Sequence, residues 1–339
     1  MHILITGGAG FIGSNTTEFF LQQGAKITIF DNFSRPGAAA NLAWLQTLPQ
    51  NKNLTVIKGD IRDSSALDKA VVGADVIIHL AGQVAVTTSI HNPREDFEIN
   101  AMGTFNLLEA IRNHAPEAIL INASTNKVYG GMEQIVIEEG ETRYTYRDYP
   151  NGIPETFSLD FHSPYGCSKG AADQYVIDYA RIYGLKTVTL RQSCIYGPRQ
   201  FGVEDQGWVA HFIIAILKGK NLTIYGDGKQ VRDILHIKDL VRAYALVIDN
   251  INQVSGTALN IGGGPTNTMS IWAEFGPLLE ALHEEKIPIN RMDWRPGDQK
   301  VFVADIQAAR EKLNWAPAVS VTEGVSSLFH WVSSNQNLF

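Results

Sequence analysis

Tyr165 and Lys169, four positions apart, hold the most legible chemistry in this chain of 339 residues. They stand in Pro164-Tyr165-Gly166-Cys167-Ser168-Lys169, which enters a helical pattern, so both side chains fall on one helical face. A phenol is a poor base near neutrality, because its ordinary pKa is about 10. A neighbouring ammonium favours the phenolate and is expected to lower that value. The pair can then take a proton from a hydroxyl as hydride leaves the adjacent carbon. Tyr-x-x-x-Lys alone recurs by chance. Here it follows Ser124-Thr125, at a strand end, by about forty residues.

A second centre lies at the start of the chain. Gly7, Gly10 and Gly13 form Gly-x-x-Gly-x-x-Gly directly after an apolar run and at the opening of a helical one. Such glycines permit a tight turn and close approach of backbone to a pyrophosphate, and the helix N-terminus offers free N–H groups. Asp31 ends the next strand-like run, eighteen residues after Gly13. A carboxylate there suits the ribose hydroxyls of NAD and repels the extra phosphate of NADP. Arg35 points the other way, since an arginine can pair with that phosphate. Phe11, Ile12, Asn32 and Ser34 flank these groups and are assigned to the same site. Asp60-Ile61 follows the third strand and reads either as a frame for an adenine ring or as a helix N-cap. Leu80-Ala81-Gly82 is small enough to pass close to the cofactor, whereas His79 before it reads as a core histidine.

Positioning these groups requires an alternating framework. Strand-like runs cover His2–Thr6, Lys26–Phe30, Leu54–Lys58, Asp75–Leu80, Ala118–Ala123 and Lys186–Leu190. Helical patterns cover Phe11–Gln22, Arg94–Asn113 without a break, and about Ser168 to Tyr183. The alternation implies βαβ units, hence an α/β fold with a doubly wound parallel sheet. After about Arg191 the rhythm breaks. Loops lengthen at Gly197–Gly207 and Gly226–Arg232. Short strands (Leu222–Tyr225, Ala258–Ile261) mix with helices (Lys238–Asp249, Ile271–His283). Residues 1–191 are therefore expected to form the dinucleotide-binding domain. Residues 192–339 should form a smaller α+β lobe for substrate, with some elements returning to the first domain. The polar segment Gly131–Phe161 reads either as a loop flanking the active site or as a surface excursion.

Composition narrows the function. A net charge of -7 supplies no basic stripe for nucleic acid or an anionic membrane. Two cysteines, Cys167 and Cys194, make no disulfide framework and fit a reducing compartment. No leader is expected before the first strand, and no stretch reaches the ~18 apolar residues of a membrane span. The expectation is a cytoplasmic enzyme with no metal.

The layout resembles the extended short-chain dehydrogenases/reductases acting on sugar nucleotides, over nearly the whole chain. The glycine turn, Ala81-Gly82, Asn100, Ser124-Thr125, Tyr165/Lys169 and Tyr196-Gly197-Pro198-Arg199 fall in that family's order. Longer strings resemble its branch that inverts C2 of CDP-hexoses, the CDP-paratose to CDP-tyvelose conversion. They include Ala81–Ala85, Asp96–Asn100, Ser124–Gly130, Leu159–Tyr175, Asp205–Val209, Gly228–Asp233 and Val301–Asp305. The resemblance implies a Rossmann domain and resident NAD. It also implies Thr125 or Ser124 orienting the reacting hydroxyl, Tyr165 as acid/base, Lys169 touching phenol and nicotinamide ribose, and Asn100 in support. Related 4,6-dehydratases carry a carboxylate pair after the threonine. This chain has Asn126-Lys127, which removes the proton donor that elimination needs.

The implied substrate is a CDP-sugar. By resemblance Arg232 and Arg295 lie at its diphosphate, where a planar guanidinium binds phosphate bidentately. Arg199 is a third candidate, and Asp298 can hold Arg295 or a ribose hydroxyl. Gln83 and Asn126 are assigned to the sugar. Gln206, Trp208, Thr223 and Tyr225 are assigned to the base, though Trp208 reads equally as core. Cys194 reads as a buried thiol or a second acid/base. The family suggests a homodimer or homotetramer. Two further readings stay open: a 4- or 2-epimerase of UDP- or GDP-sugars, and a cofactor-binding redox sensor.

Overall fold

The computed structural model describes residues 1–294 and 299–339. Seven strands form one sheet: β1 (His2–Thr6), β2 (Lys26–Asp31), β3 (Leu54–Lys58), β4 (Val76–His79), β5 (Ile119–Thr125), β6 (Lys186–Gln192) and β7 (Thr257–Ile261). Their order is β7-β6-β5-β4-β1-β2-β3, and every adjacent pair is parallel. This is the doubly wound arrangement, with its switch point between β1 and β4, outside whose carboxyl ends ligands bind. Strands β1 and β4 are mainly apolar on both faces because both are covered, whereas β5 and β6 also bury polar residues such as Asn122, Thr189 and Arg191. Along β1, Ile3 and Ile5 enter one core, while Leu4 enters the other with Leu107, Leu108 and Ile111.

The helices that matter for the site are α1 (Phe11–Gln22), α2 (Gly103–His114) and α3 (Ser163–Tyr183). The uninterrupted helix expected over Arg94–Asn113 is broken. Pro93–Phe97 is a short helix, Glu98–Met102 a π-helical turn, and α2 follows. The wider turn carries Asn100, whose buried amide is fixed by partners outside the helix, so local hydrogen bonding yields to a tertiary demand. Helix α3 starts at Ser163, a turn and more earlier than the periodicity suggested.

Beyond Arg191 the chain divides its elements. Strand β7 joins the main sheet, and the helix Ile237–Asp249 packs on its face. The lobe consists of the parallel pair Leu222–Tyr225 and Ile289–Met292, and of Val231–His236 flanked by Cys194–Tyr196, Thr268–Ser270 and Val301–Phe302. Its core includes Phe212, Ile213, Phe275 and Leu328. The Gly131–Phe161 segment flanks neither cavity described below. It forms the hairpin Ile137–Glu139/Tyr144–Tyr146 and braces the lobe: Tyr144 donates to Asp227 at 2.6 Å and Tyr146 to the Val301 carbonyl at 2.8 Å.

A buried ion pair ties α3 to the sheet. Asp173 on α3 and Arg191 on β6 form an ion pair at 3.0 Å, with side chains 0% and 4% exposed. Arg191 Nε also donates to Asp173 Oδ2 at 3.2 Å, so the fork is bidentate. Ser124 donates to the same carboxylate at 2.7 Å, and Arg191 donates to Tyr129 Oη at 3.1 Å. Removing one partner strands a buried charge. Asp173→Ala is expected to lower unfolding free energy by about 3–5 kcal/mol, read by urea denaturation. A loss below about 1 kcal/mol would place the pair among weak surface contacts.

Candidate active site

The glycine turn is built by close packing. Gly7 has φ 69°, and a Cβ on it would lie 2.8 Å from the Ala81 nitrogen. A Cβ on Gly13 would lie 2.3 Å from the Gly7 carbonyl oxygen, so α1 sits hard against the turn. Gly10 precedes α1, and no side chain caps it, which leaves the first-turn N–H groups for a ligand. At the end of β2, Asp31 accepts from Ala9 N at 3.0 Å and Phe33 N at 2.8 Å. Burial raises its pKa, against these two donors. A cleft of about 590 Å³ opens here, lined by Gly7, Phe11, Asp31, Asn32, Ser34, Arg35, Leu80 and Gly82, among others. A narrow backbone cradle, an uncapped helix and a carboxylate at the second strand end fit a dinucleotide.

Asp60 and Ile61 line this cleft as well. The N-cap alternative falls to Asp63, which accepts from Ala66 N at 3.1 Å. Asp60 pairs with Arg62 at 2.8 Å and accepts from Asn32 at 3.0 Å, and Arg62 holds its carboxyl well below the ordinary value. Arg35 donates to Gln206 across the cleft. His79 is the core histidine expected: 2% exposed, between Thr6 (2.7 Å) and Thr104 (3.1 Å). Burial takes its pKa down to about 3.

Thr125, Tyr165 and Lys169 all line the cleft. The Thr125 hydroxyl lies by the Tyr165 phenol and favours its ionised form. The expected lowering of that phenol by Lys169 is not what the structure shows. Lys169 Nζ donates to the Ala123 carbonyl at 2.6 Å. Burial pushes Tyr165 up to about 12, with Thr125 opposing, Asp96 adding and Arg35 opposing. Burial brings Lys169 down to about 8 against the pull of Asp173 and Asp96. Ser124 and Thr125 part company: Ser124 turns to Asp173, leaving Thr125 beside the phenol.

Asn100 lies outside the cleft lining. It accepts from Gln83 N at 2.9 Å and donates to the Gln83 carbonyl at 3.0 Å, which fixes the loop after Gly82. Gln83 lines the cleft but spends its amide on Ala85 O (2.8 Å) and Asp96 (3.0 Å). Asn126 accepts from Thr125 at 3.3 Å, and Lys127 reaches Gln299 at 3.1 Å. Cys194 lines the cleft with its pKa raised by burial, which fits a protonated thiol better than a proton shuttle. Arg199 lines the cleft, with its guanidinium 4.0 Å over Trp44 and 5.5 Å from Trp331.

A second cavity of about 190 Å³ adjoins the cleft and shares Asp205, Gln206, Gly207 and Trp208 with it. Thr223, Tyr225 and Arg232 line it. Trp208 fills both parts open to it, packing on Phe275 at 4.9 Å while facing both cavities. Arg295 and Asp298 lie outside the described residues. Asp96, Asp173 and Arg191 escaped the reading of the sequence. Asp173 had a signal, being four residues beyond Lys169 on the same helical face.

The GDP-mannose 4,6 dehydratase family model matches residues 4–328. The chain belongs to that family. A CDP-paratose 2-epimerase of Salmonella typhi is 48% identical over 341 residues, spanning 98% of this chain and 100% of that one. A UDP-glucuronic acid 4-epimerase from Bacillus cereus, solved with UDP-glucuronic acid and NAD, is 29% identical with a TM-score of 0.85 over 100% of both chains. A dTDP-glucose 4,6-dehydratase from Streptomyces venezuelae, solved with NAD, is 27% identical with a TM-score of 0.86, covering 100% of this chain and 99% of that one. The protein is thus an enzyme of the extended short-chain dehydrogenase/reductase type, and NAD is the cofactor its glycine turn and Asp31 fit. No helix of the described residues is long and apolar enough to cross a membrane.

Lys169 is a cation below about pH 8 and loses its charge above it. Turnover is therefore expected to fall as pH rises through that value. Lys169→Arg, which does not titrate there, should lose this alkaline limb. Steady-state rates from about pH 6 to 10 test both. A wild-type profile flat to the upper end would remove the ammonium from the mechanism.

Proposed function

We propose that this protein is a nucleotide-sugar epimerase that inverts C2 of a CDP-hexose, of the CDP-paratose to CDP-tyvelose type, through a 2-keto intermediate. The observation that carries the reading is Asn126-Lys127 behind Thr125. Asn126 bonds the threonine hydroxyl and Lys127 turns to Gln299, so the position that would need an acid for elimination has none. The near-full-length identity to a CDP-paratose 2-epimerase supports the same choice.

Bound NAD supplies a reversible acceptor for one hydride. The chain's own groups handle the proton. Thr125 and Tyr165 both line the cleft, so a sugar hydroxyl beside them meets a donor and an acid/base together. In its phenolate form, which burial makes the minor one near neutrality, Tyr165 takes the C2 hydroxyl proton as the carbon is oxidised, and the resulting phenol returns it when the ketone is reduced on its other face. One base serves both directions, because the planar ketone turns while the protein stays fixed. Burial of the phenol excludes water that would otherwise exchange with this proton. Arg232 suits the diphosphate, and Gln206, Trp208, Thr223 and Tyr225 form the walls toward the base. The choice of cytosine rests on the relative alone.

Oligomerisation is part of the proposal. Phe97, Met102, Tyr175 and Tyr183 stand 43–52% exposed on α3 and on the segment leading into α2. That concentration of apolar surface suits a second copy of the chain. Sedimentation velocity should show a dimer or larger species. A monomer at micromolar concentration would exclude it.

Tyr165→Phe is expected to lower kcat at least ~100-fold while cofactor stays bound, as seen by absorbance of the released nucleotide. Turnover of CDP-, UDP- and GDP-hexoses, followed by NMR of the products, tests the substrate. Preference for UDP-galactose over every CDP-sugar would favour the 4-epimerase reading instead.

A further inference from the structure

Asp96 is fully buried, yet no cation lies within hydrogen-bonding distance of it among the described residues. Its Oδ2 accepts from Ser168 at 2.5 Å, and its Oδ1 from Gln83 Nε2 at 3.0 Å and Asn100 Nδ2 at 3.1 Å. All three partners are neutral. A buried carboxylate with no cation bonded to it is costly: burial raises its pKa, and the Ser168 bond, the Lys169 charge and the two amides offset only part of that cost. A neutral amide would fill the same space more cheaply. The charge itself therefore calls for a use.

Its surroundings supply one. Ser168 precedes Lys169 on α3 and also donates to the Tyr165 carbonyl at 3.2 Å, so the carboxylate grips the turn that carries both residues. The groups facing Lys169 come from every packed element. Asp173, on its own helix, is held bidentately by Arg191. His79, at the end of β4, is neutral. Tyr165 is a protonated phenol near neutrality, reached also by Arg35 and Thr125. Asp96 is the remaining anion without a cation of its own.

We propose that Asp96 is a positioning residue whose negative charge keeps Lys169 protonated during turnover, while its bond to Ser168 fixes the first turns of α3. The inference rests on the role given to Lys169 above. Losing the carboxylate leaves burial less opposed, so Lys169 surrenders its proton at lower pH. The Ser168 bond is a separable contribution, because it carries geometry and no charge.

The test is the pH profile of kcat for wild type, Asp96→Asn and Ser168→Ala, with thermal unfolding beside each. Asp96→Asn should move the alkaline limb down by about one pH unit. Ser168→Ala should lower kcat and leave the limb in place. Asp96→Ser removes the same charge and is read in the same way if the amide variant does not fold. A limb that stays put on removal of the charge, with only stability or kcat changed, reduces Asp96 to a structural residue and overturns the proposal. A wild-type profile with no alkaline limb refutes instead the role of Lys169.

Discussion

The buried pair between Asp173 and Arg191 is the constraint on which the rest of this site depends. Helix α3 brings Tyr165 and Lys169 to the cleft, but a helix lying on a sheet can slide or rotate with little change in apolar contact. A bidentate ion pair with almost no exposure permits one register only. The same carboxylate takes the Ser124 hydroxyl, so the neighbouring strand end is set by the same bond. Thr125, next along β5, then faces the phenol. Three chain segments far apart in sequence thus obtain their relative placement from one carboxylate. Whether such pairs add net stability varies, but their geometric demand is strict.

The cofactor end obeys a different logic, that of steric exclusion. No side chain fits at Gly7 or Gly13, because backbone already occupies the space. This is why the site could be read from residue types: the requirement is local, and glycine is its only solution. The strands were legible for a related reason. Strands such as β1 and β4 are mainly apolar, and β1, β3 and α1 begin and end where the residue pattern changes.

What the sequence did not show depends on distant partners. The π-turn at Glu98–Met102 lies inside a run whose periodicity looks helical throughout, and only the bonds from Asn100 to Gln83 and Ser168 explain it. Asp96 sits among Arg94, Glu95 and Glu98, where a charge reads as a solvated face, yet it is the buried member. Arg199, a third candidate for the diphosphate, lies over Trp44 and near Trp331, and that nearness appears only on folding. The four-residue spacing puts Lys169 on the face of Tyr165, while its bond to the Ala123 carbonyl requires knowing how closely α3 lies on β5. The nucleotide end was the least legible, because shape selects a base and residue types there are ordinary.

The π-turn also bears on how this protein could be engineered. Such a turn is an α-helix holding one residue more than its hydrogen bonds want. Consensus design or thermostabilisation that regularises helices would tend to delete it, and the shorter helix could gain stability. Each residue of an α-helix turns about 100°, so the deletion would swing Asn100 off the loop after Gly82. Gln83 would lose its anchor and Asp96 a donor. The irregularity is thus a place where a more stable variant and a working one part ways, and a library built on this fold would do well to hold that turn fixed.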